Sequence, residues 1–253
     1  MIDYEDMLDT AVDIAERAGQ VALSYFRQAI LIEMKANHTP VTMADKKTEE
    51  MIRGELAKEF PNHGLLGEEF ENHATDAEFV WTIDPIDGTR SFIRGIPLWG
   101  TLVGLLHRGE PVLGVMVLPA LDETYSAAKG CGTFCDGVQL HVSATQSLEA
   151  AIVSCGDTNC FESVGRRPLL DAVQNKAELC RGYTDCFGHA LMVRGAVDAM
   201  IDPLVSIWDI APIACIVKEA GGEYFAFNGA ETIQETSFIT CTPALKKQLL
   251  SLP

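Results

Sequence analysis

The chain is short of positive charge, of paired cysteines and of long apolar runs, and each shortage narrows its function. Its 253 residues carry 19 Lys and Arg against 36 Asp and Glu, a formal net charge of −17. Phosphate backbones are bound by Lys/Arg surfaces, and no such stripe is present, which argues against a nucleic-acid partner. No apolar stretch reaches the ~18 residues that a membrane span needs, so no membrane partner is expected. The start, Met1-Ile-Asp-Tyr-Glu-Asp6, is acidic, whereas a secretory leader needs a basic start and an apolar run. The expectation is a cytoplasmic protein. Eight cysteines are present, yet none forms a CxxC pair or a zinc-like spacing. They read as mostly buried, reduced thiols, with Cys186 a small packing residue of no assigned chemistry. Internal repeats, low-complexity tracts and Pro/Ser-rich linkers are also missing.

What is present is a core-forming composition, 47% hydrophobic and 22% charged. The length suits one large domain or two closely packed halves. Apolar residues at three- and four-residue steps predict a helix over 5–27, and a second follows Thr42 to about Phe60, where Pro61-Asn-His-Gly64 stops it. Strands are predicted at about 79–84, 99–107 and 112–118, the last two joined by a hairpin at His107–Pro111. Further on, a strand at Ala151–Cys155, helices over 161–176 and 185–196, a strand over 197–202, a helix over 209–220 ending at Gly221-Gly222, and strands near 223–227 and 236–240 are expected. A soft boundary near 136–147 divides the chain into 1–142 and 143–253.

The densest chemical signal is Trp81-Thr-Ile-Asp84-Pro-Ile86-Asp87-Gly88-Thr89-Arg90-Ser-Phe92. Two carboxylates three residues apart end an apolar run, and Pro85 biases Asp84 toward extended geometry. Gly88 then permits a turn or a close backbone approach. Hard oxygen donors held this way suit Mg²⁺, which binds through one or two carboxylates plus substrate phosphate. An acidic protein acting on a phosphorylated metabolite needs local positive charge, and cations held by clustered carboxylates would supply it. Three other acidic places join this one: Gly67-Glu68-Glu69, Trp208-Asp209-Ile-Ala-Pro212 and Asp45 in Thr42-Met-Ala-Asp45. Each also has a plainer reading: a solvated loop for the Glu pair, a helix N-cap for Asp209, and a first-turn acid for Asp45.

Taken together, the order and spacing of these elements over essentially the whole chain resemble the inositol monophosphatase superfamily of Mg²⁺-dependent phosphomonoesterases. Glu219-Ala-Gly-Gly222 and the Asp45/Glu49 pair support the match. The resemblance implies a layered α/β (α+β) fold, an αβαβα sandwich of the inositol monophosphatase/fructose-1,6-bisphosphatase type. It implies that Glu68, Asp84 and the Ile86 carbonyl bind a first metal, and that Asp84, Asp87 and Asp209 bind a second. Glu68 and Thr89 would position the attacking water, with Asp45 supporting Thr89 or a third, weaker metal. Gly88 and Thr89 would offer backbone N–H groups to the phosphate. Two or three Mg²⁺ ions are expected per site, Mn²⁺ being an acceptable substitute for oxygen-only ligands. A homodimer is also implied. A non-catalytic metal- or phosphate-binding regulator is disfavoured, because such a chain should have lost Glu68, Thr89 or a metal aspartate.

Within the superfamily, Arg90-Ser-Phe92 with Ile96-Pro-Leu-Trp99 and the segment Asp185-Cys186-Phe187-Gly188 are similar to the branch hydrolysing L-histidinol phosphate. Thr184 stands where that branch tends to have Gly. Asp185 has a physical rationale as partner for the ammonium of histidinol phosphate. Asp202 occupies the place where inositol enzymes tend to use Glu, and it suits a hydroxyl, an ammonium or an imidazole. The plainer alternatives are a helix N-cap for Asp185, a surface charge for Arg90 and a satisfied structural residue for His189. Hydrolysis of inositol 1-phosphate, or of a broader range of sugar phosphates, is the runner-up. Attack is expected to be in-line and direct, since the protein's share of phosphoryl transfer is alignment and charge stabilisation. Mass spectrometry of quenched turnover should find no covalent phosphoenzyme; a phosphorylated peptide would refute direct attack.

Overall fold

The computed structural model describes residues 4–29, 31–34 and 40–253. Helix α1 (Glu5–Tyr25) buries Leu8, Ala11, Ile14, Ala15, Ala18, Gly19 and Ala22 along one face. The alanines and Gly19 among them let it lie close on a sheet; a Cβ on Gly19 would sit 2.9 Å from Pro119. A two-stranded antiparallel ribbon, β1 (Ile32–Met34) and β2 (Pro40–Thr42), leads into α2 (Met43–Glu59). A seven-stranded sheet follows, made of β3 (Gly64–Gly67), β4 (Phe79–Asp87), β5 (Gly100–His107), β6 (Glu110–Leu118), β7 (Glu123–Ala128), β8 (Gly132–Cys135) and β9 (Val138–Leu140). The strands lie in sequence order, with β3 and β4 parallel and every later pair antiparallel. The short helix α3 (Thr89–Ile93) interrupts the passage from β4 to β5.

The remaining chain forms a five-stranded mixed sheet in the order β11-β10-β12-β14-β13. Its strands are β10 (Ile152–Cys155), β11 (Leu179–Arg181), β12 (Ala199–Asp202), β13 (Glu223–Phe225) and β14 (Phe238–Cys241). Helices α4 (Thr158–Ser163), α5 (Arg167–Lys176), α6 (Asp185–Val193), α7 (Ile207–Glu219) and α8 (Lys246–Leu250) connect and cover them. The helix expected over 161–176 is two helices, broken where Gly165 turns at φ +69°. Strands β1, β2, β3, β7, β8, β9 and β11 lie outside the predicted ones; all but the six-residue β7 have four residues or fewer, too few for an alternation to register.

Burial resolves five layers. Leu8, Ile14, Ile52 and Leu56 of α1 and α2 pack on Trp81, Ile83, Val103 and Val115 of the seven-stranded sheet. The opposite face of that sheet meets α6 and α7, which also contact Met200 and Phe238 of the second sheet. Leu169, Leu170, Val173 and Leu249 close the outer face of the second sheet. The result is the expected αβαβα sandwich. Among the described residues no helix is long and apolar enough to cross a membrane, and all eight cysteines are free thiols, five of them buried.

One contact fixes how the layers meet. Gly104 and Gly114 pair directly across β5 and β6, and α7 seats its Pro212 in the notch they leave. A Cβ on Gly104 would lie 2.9 Å from the Pro212 nitrogen, and one on Gly114 would lie 2.0 Å from the Pro212 carbonyl oxygen. Backbone cannot yield as a side-chain tip can, so a methyl group here must move the helix. Overpacking of this kind costs about 1–3 kcal/mol, whereas Gly54→Ala, inside α2 with nothing within 4 Å of the new Cβ, should gain about 1 kcal/mol of helix propensity. Gly114→Ala is therefore expected to lower the melting temperature by several degrees and Gly54→Ala to leave it equal or higher. Equal melting temperatures for the two variants would show that the notch is not tight.

Candidate active site

The site begins at an irregularity in β4. Asp84 pairs with Leu102 and Asp87 with Gly100, so Pro85 and Ile86 together face Thr101. This is a β-bulge, which adds one residue on one strand. In a regular strand, residues three apart point to opposite faces; the extra residue brings Asp84 and Asp87 to the same side. Pro85 sits where a ladder N–H is not needed, and its carbonyl accepts from the Thr101 hydroxyl at 2.9 Å. The Ile86 N–H donates to Asp84 Oδ1 at 3.0 Å.

Helix α2 supplies a second group. Thr42 and Asp45 form a reciprocal capping box, with Asp45 Oδ2 accepting from the Thr42 N–H at 2.8 Å and the Thr42 hydroxyl at 2.6 Å. That leaves Oδ1 toward the site, where the Thr89 hydroxyl lies 3.4 Å away and also reaches the Ile86 carbonyl at 3.0 Å. One turn on, buried Glu49 accepts from Arg53 Nε at 2.6 Å and from the Glu69 N–H at 2.7 Å. A Cβ on Gly67 would fall 2.2 Å from Glu49 Oε1. Glu49 thus fixes the loop that carries Glu68, a bracing role that sequence reading did not assign.

The third group arrives from α7. Its N-cap is Ser206, and Asp209 closes a capping box by accepting from the Ser206 N–H at 2.8 Å. Asp209 is therefore the third residue of the helix rather than its cap. One ligand atom each from Asp84, Asp87 and Asp209 lies within 4.8 Å of the others. The Cys186 N–H donates to Asp87 Oδ2 at 2.5 Å, which ties α6 to the same cluster.

A cleft opens beside the cluster, lined by Asp87, Asp185, Cys186, His189, Asp202, Leu204 and Asp209 among others. Asp185 follows the cap position of α6 and holds φ +57°, a conformation that Asp tolerates better than most residues. Its Oδ2 accepts from the Thr184 hydroxyl at 2.8 Å and would be 3.2 Å from a Cβ on Gly88, itself at φ +84°. Arg90 is exposed on α3. His189 is buried and doubly bonded, to Asp202 and to Thr240, as the plainer reading has it.

The architecture and these motifs agree with what similar proteins show. A model of the inositol monophosphatase family matches residues 3–252. The chain belongs to that family. It is 38% identical to the histidinol-phosphatase of Chlorobaculum parvum, over 96% of this chain and 95% of the relative. It is 34% identical to the histidinol-phosphatase of Mycobacterium tuberculosis, over 99% and 98%. Among solved structures, the IMPase of Thermotoga maritima superposes with a TM-score of 0.89 at 29% identity, over 97% of this chain and 95% of that one.

The electrostatics of the site are those of carboxylates crowded together. Burial raises the pKa of Asp84 well above its ordinary value, and Glu68, Asp87, Asp209 and Asp45 all raise it further. Asp87 is raised for the same first reason, then by Asp185 and Asp209, although the Cys186 N–H opposes this. Burial lifts Asp209 to about 7, against the Ser206 N–H. Burial also raises Asp45, opposed by Thr42. Converging carboxylates, Asp84 buried and Asp87 and Asp209 half-buried, whose strongest charged neighbours are other carboxylates fit hard divalent cations. In the metal-free protein, the native state holds the Asp209 proton up to about pH 7, while the unfolded chain releases it near its ordinary 3.8. The native state then binds more protons across that window, so stability is lost as pH rises through it. In EDTA, the melting temperature of wild type relative to Asp209→Asn should fall between about pH 4 and pH 7, and excess Mg²⁺ should reverse the trend for wild type alone. A pH-independent difference would refute this account.

Proposed function

We propose that the chain hydrolyses L-histidinol phosphate to L-histidinol and phosphate with Mg²⁺ bound by Glu68, Asp84, the Ile86 carbonyl, Asp87 and Asp209. It is a phosphoric monoester hydrolase; the substrate and the metal are the proposed part. The observation that carries the substrate is the cleft wall: beyond the carboxylate trio stand two further acids, Asp185 and Asp202, where the leaving group of a bound ester would lie. Histidinol presents an ammonium and an imidazole to them, whereas an inositol presents only hydroxyls. The histidinol-phosphatases among the relatives support the same choice.

Divalent cations in the trio would neutralise the phosphate dianion and make a bound water acidic enough to attack. The protein's own groups do the rest. Backbone N–H groups at Gly88 and Thr89 would orient the phosphoryl oxygens. The attacking water forms the new P–O bond and gives its proton to Thr89 Oγ, whose own proton passes to Asp45 Oδ1. Asp45 suits that acceptor role because its other oxygen is already bonded twice by Thr42. The ester P–O bond breaks and the leaving alkoxide takes a proton from water.

Inositol or related sugar phosphates are the second reading, supported by the likeness to the Thermotoga maritima IMPase. Phosphate release should be measured side by side from histidinol phosphate and inositol 1-phosphate, with and without EDTA. Histidinol phosphate is expected to have the higher kcat/KM by at least about tenfold, a 1.4 kcal/mol preference, and EDTA should abolish both activities. Equal or better turnover of inositol phosphate would overturn the substrate, and EDTA-resistant turnover would overturn the metal.

A further inference from the structure

We propose that His189 is a specificity-positioning residue: with Gly156 it aims the Asp202 carboxylate so that one oxygen is left for a nitrogen-borne proton of the leaving group. The proposal rests on the histidinol phosphate reading above. Three observations carry it. His189 Nε2 lies 2.9 Å from Asp202 Oδ2, with the imidazole side chain only 2% exposed. Its Nδ1 lies 3.0 Å from the Thr240 hydroxyl on β14, and its ring meets Phe238 edge-on at 5.5 Å. The ring is therefore held at both nitrogens and on one face. Since a carboxylate only accepts, Nε2 carries the proton toward Asp202, and in the neutral ring the Thr240 hydroxyl donates to Nδ1.

The other Asp202 oxygen, Oδ1, lies against Gly156: a Cβ there would stand 2.3 Å from it. Gly156 has no positive φ among the glycines that do, so its smallness here serves space rather than backbone shape. Asp202 itself is on the cleft wall. One oxygen is thus occupied by His189, and glycine keeps room for the other. Oriented this way, Asp202 accepts from an N–H of an ammonium or imidazole without rotating, which avoids the ordering cost of a free carboxylate. Nothing in this arrangement touches the phosphoryl group, so His189 acts through Asp202 and is not a catalytic residue.

The test compares histidinol phosphate with β-glycerophosphate, whose leaving group has no nitrogen, for wild type, His189→Leu, His189→Gln, Gly156→Ala, Asp202→Asn and the double variant His189→Leu/Asp202→Asn. His189→Leu and Gly156→Ala should each raise KM for histidinol phosphate by about tenfold, as loss of a charge-assisted hydrogen bond does. Neither should change kcat/KM for β-glycerophosphate more than about twofold. His189→Gln keeps an N–H near the ε position and should restore most of the lost affinity. The double variant should be no worse than Asp202→Asn alone. Equal losses on both esters, or additive losses in the double variant, would overturn the proposal. Gly156→Ala, which leaves His189 intact, keeps the test decisive if His189→Leu does not fold. A wild type that does not favour histidinol phosphate over β-glycerophosphate fails the substrate reading and the proposal together. A wild-type preference that persists in His189→Leu fails the proposal alone.

Discussion

The structure depends on how closely α7 can approach the seven-stranded sheet. Asp84 and Asp87 stand on β4, but Asp209 belongs to a helix entering from the other side of the fold. A helix normally packs on a sheet through its side chains, at a distance too great for short aspartates to converge. Here two glycines paired across β5 and β6 remove the side chains from one layer, and the Pro212 backbone fills the gap. Proline suits that seat. Inside the helix it gives up the N–H that would bond to the Trp208 carbonyl, and the bare nitrogen lies against the sheet. Asp209 is three residues before it, within one helical turn, so the seating of Pro212 is also the positioning of Asp209.

That arrangement sets folding against function. Burial raises Asp84, Asp87 and Asp209 together, so the metal-free fold must either hold protons or tolerate repulsion. Local geometry limits the strain. Asp84 accepts from the Ile86 N–H, Asp87 from the Cys186 N–H and Asp209 from the Ser206 N–H, and each bond fixes one oxygen while the other stays available. Capping boxes on α2 and α7 do this twice with the same chemistry, using Asp45 and Asp209 as third-position acids. An element that ends a helix in most proteins is here the means of holding a carboxylate still.

Much of the site was legible in the sequence because its residues cluster around short, chemically loaded motifs. The two acids around Pro85, the Gly67-Glu-Glu turn and Trp208-Asp209 were each readable as oxygen donors, and long periodic segments such as α1 and α2 set the frame. The same-side projection of Asp84 and Asp87 was not readable, because it depends on a register shift against β5. Gly104, Gly114 and Gly156 carried no signal either: a glycine needed for space looks, in one dimension, like any glycine. Glu49 and His189 were visible as residues but not as braces, since their partners lie 20 and 13 or 51 positions away. Strands β8 and β9 have only four and three residues, too few alternations to register, and β7 breaks its pattern with Ser126 and the paired Ala127-Ala128.

The division of labour along the chain follows from the same geometry. Asp202 ends β12 and Asp209 stands in the first turn of α7 only seven positions later, so one strand-turn-helix unit carries both a cleft-wall carboxylate and a member of the acidic trio. Its strand end is governed by His189 and Gly156, whereas its helix is governed by the glycine notch and Ser206. Because these controls are separate, the wall facing the leaving group is free to change without disturbing the carboxylate trio. Phosphomonoesters share the phosphate end and differ in the leaving group, so selectivity among them is a difference in free energy between leaving groups. In this chain that difference is assigned to the orientation of a single carboxylate, set by groups that never meet the reacting phosphorus.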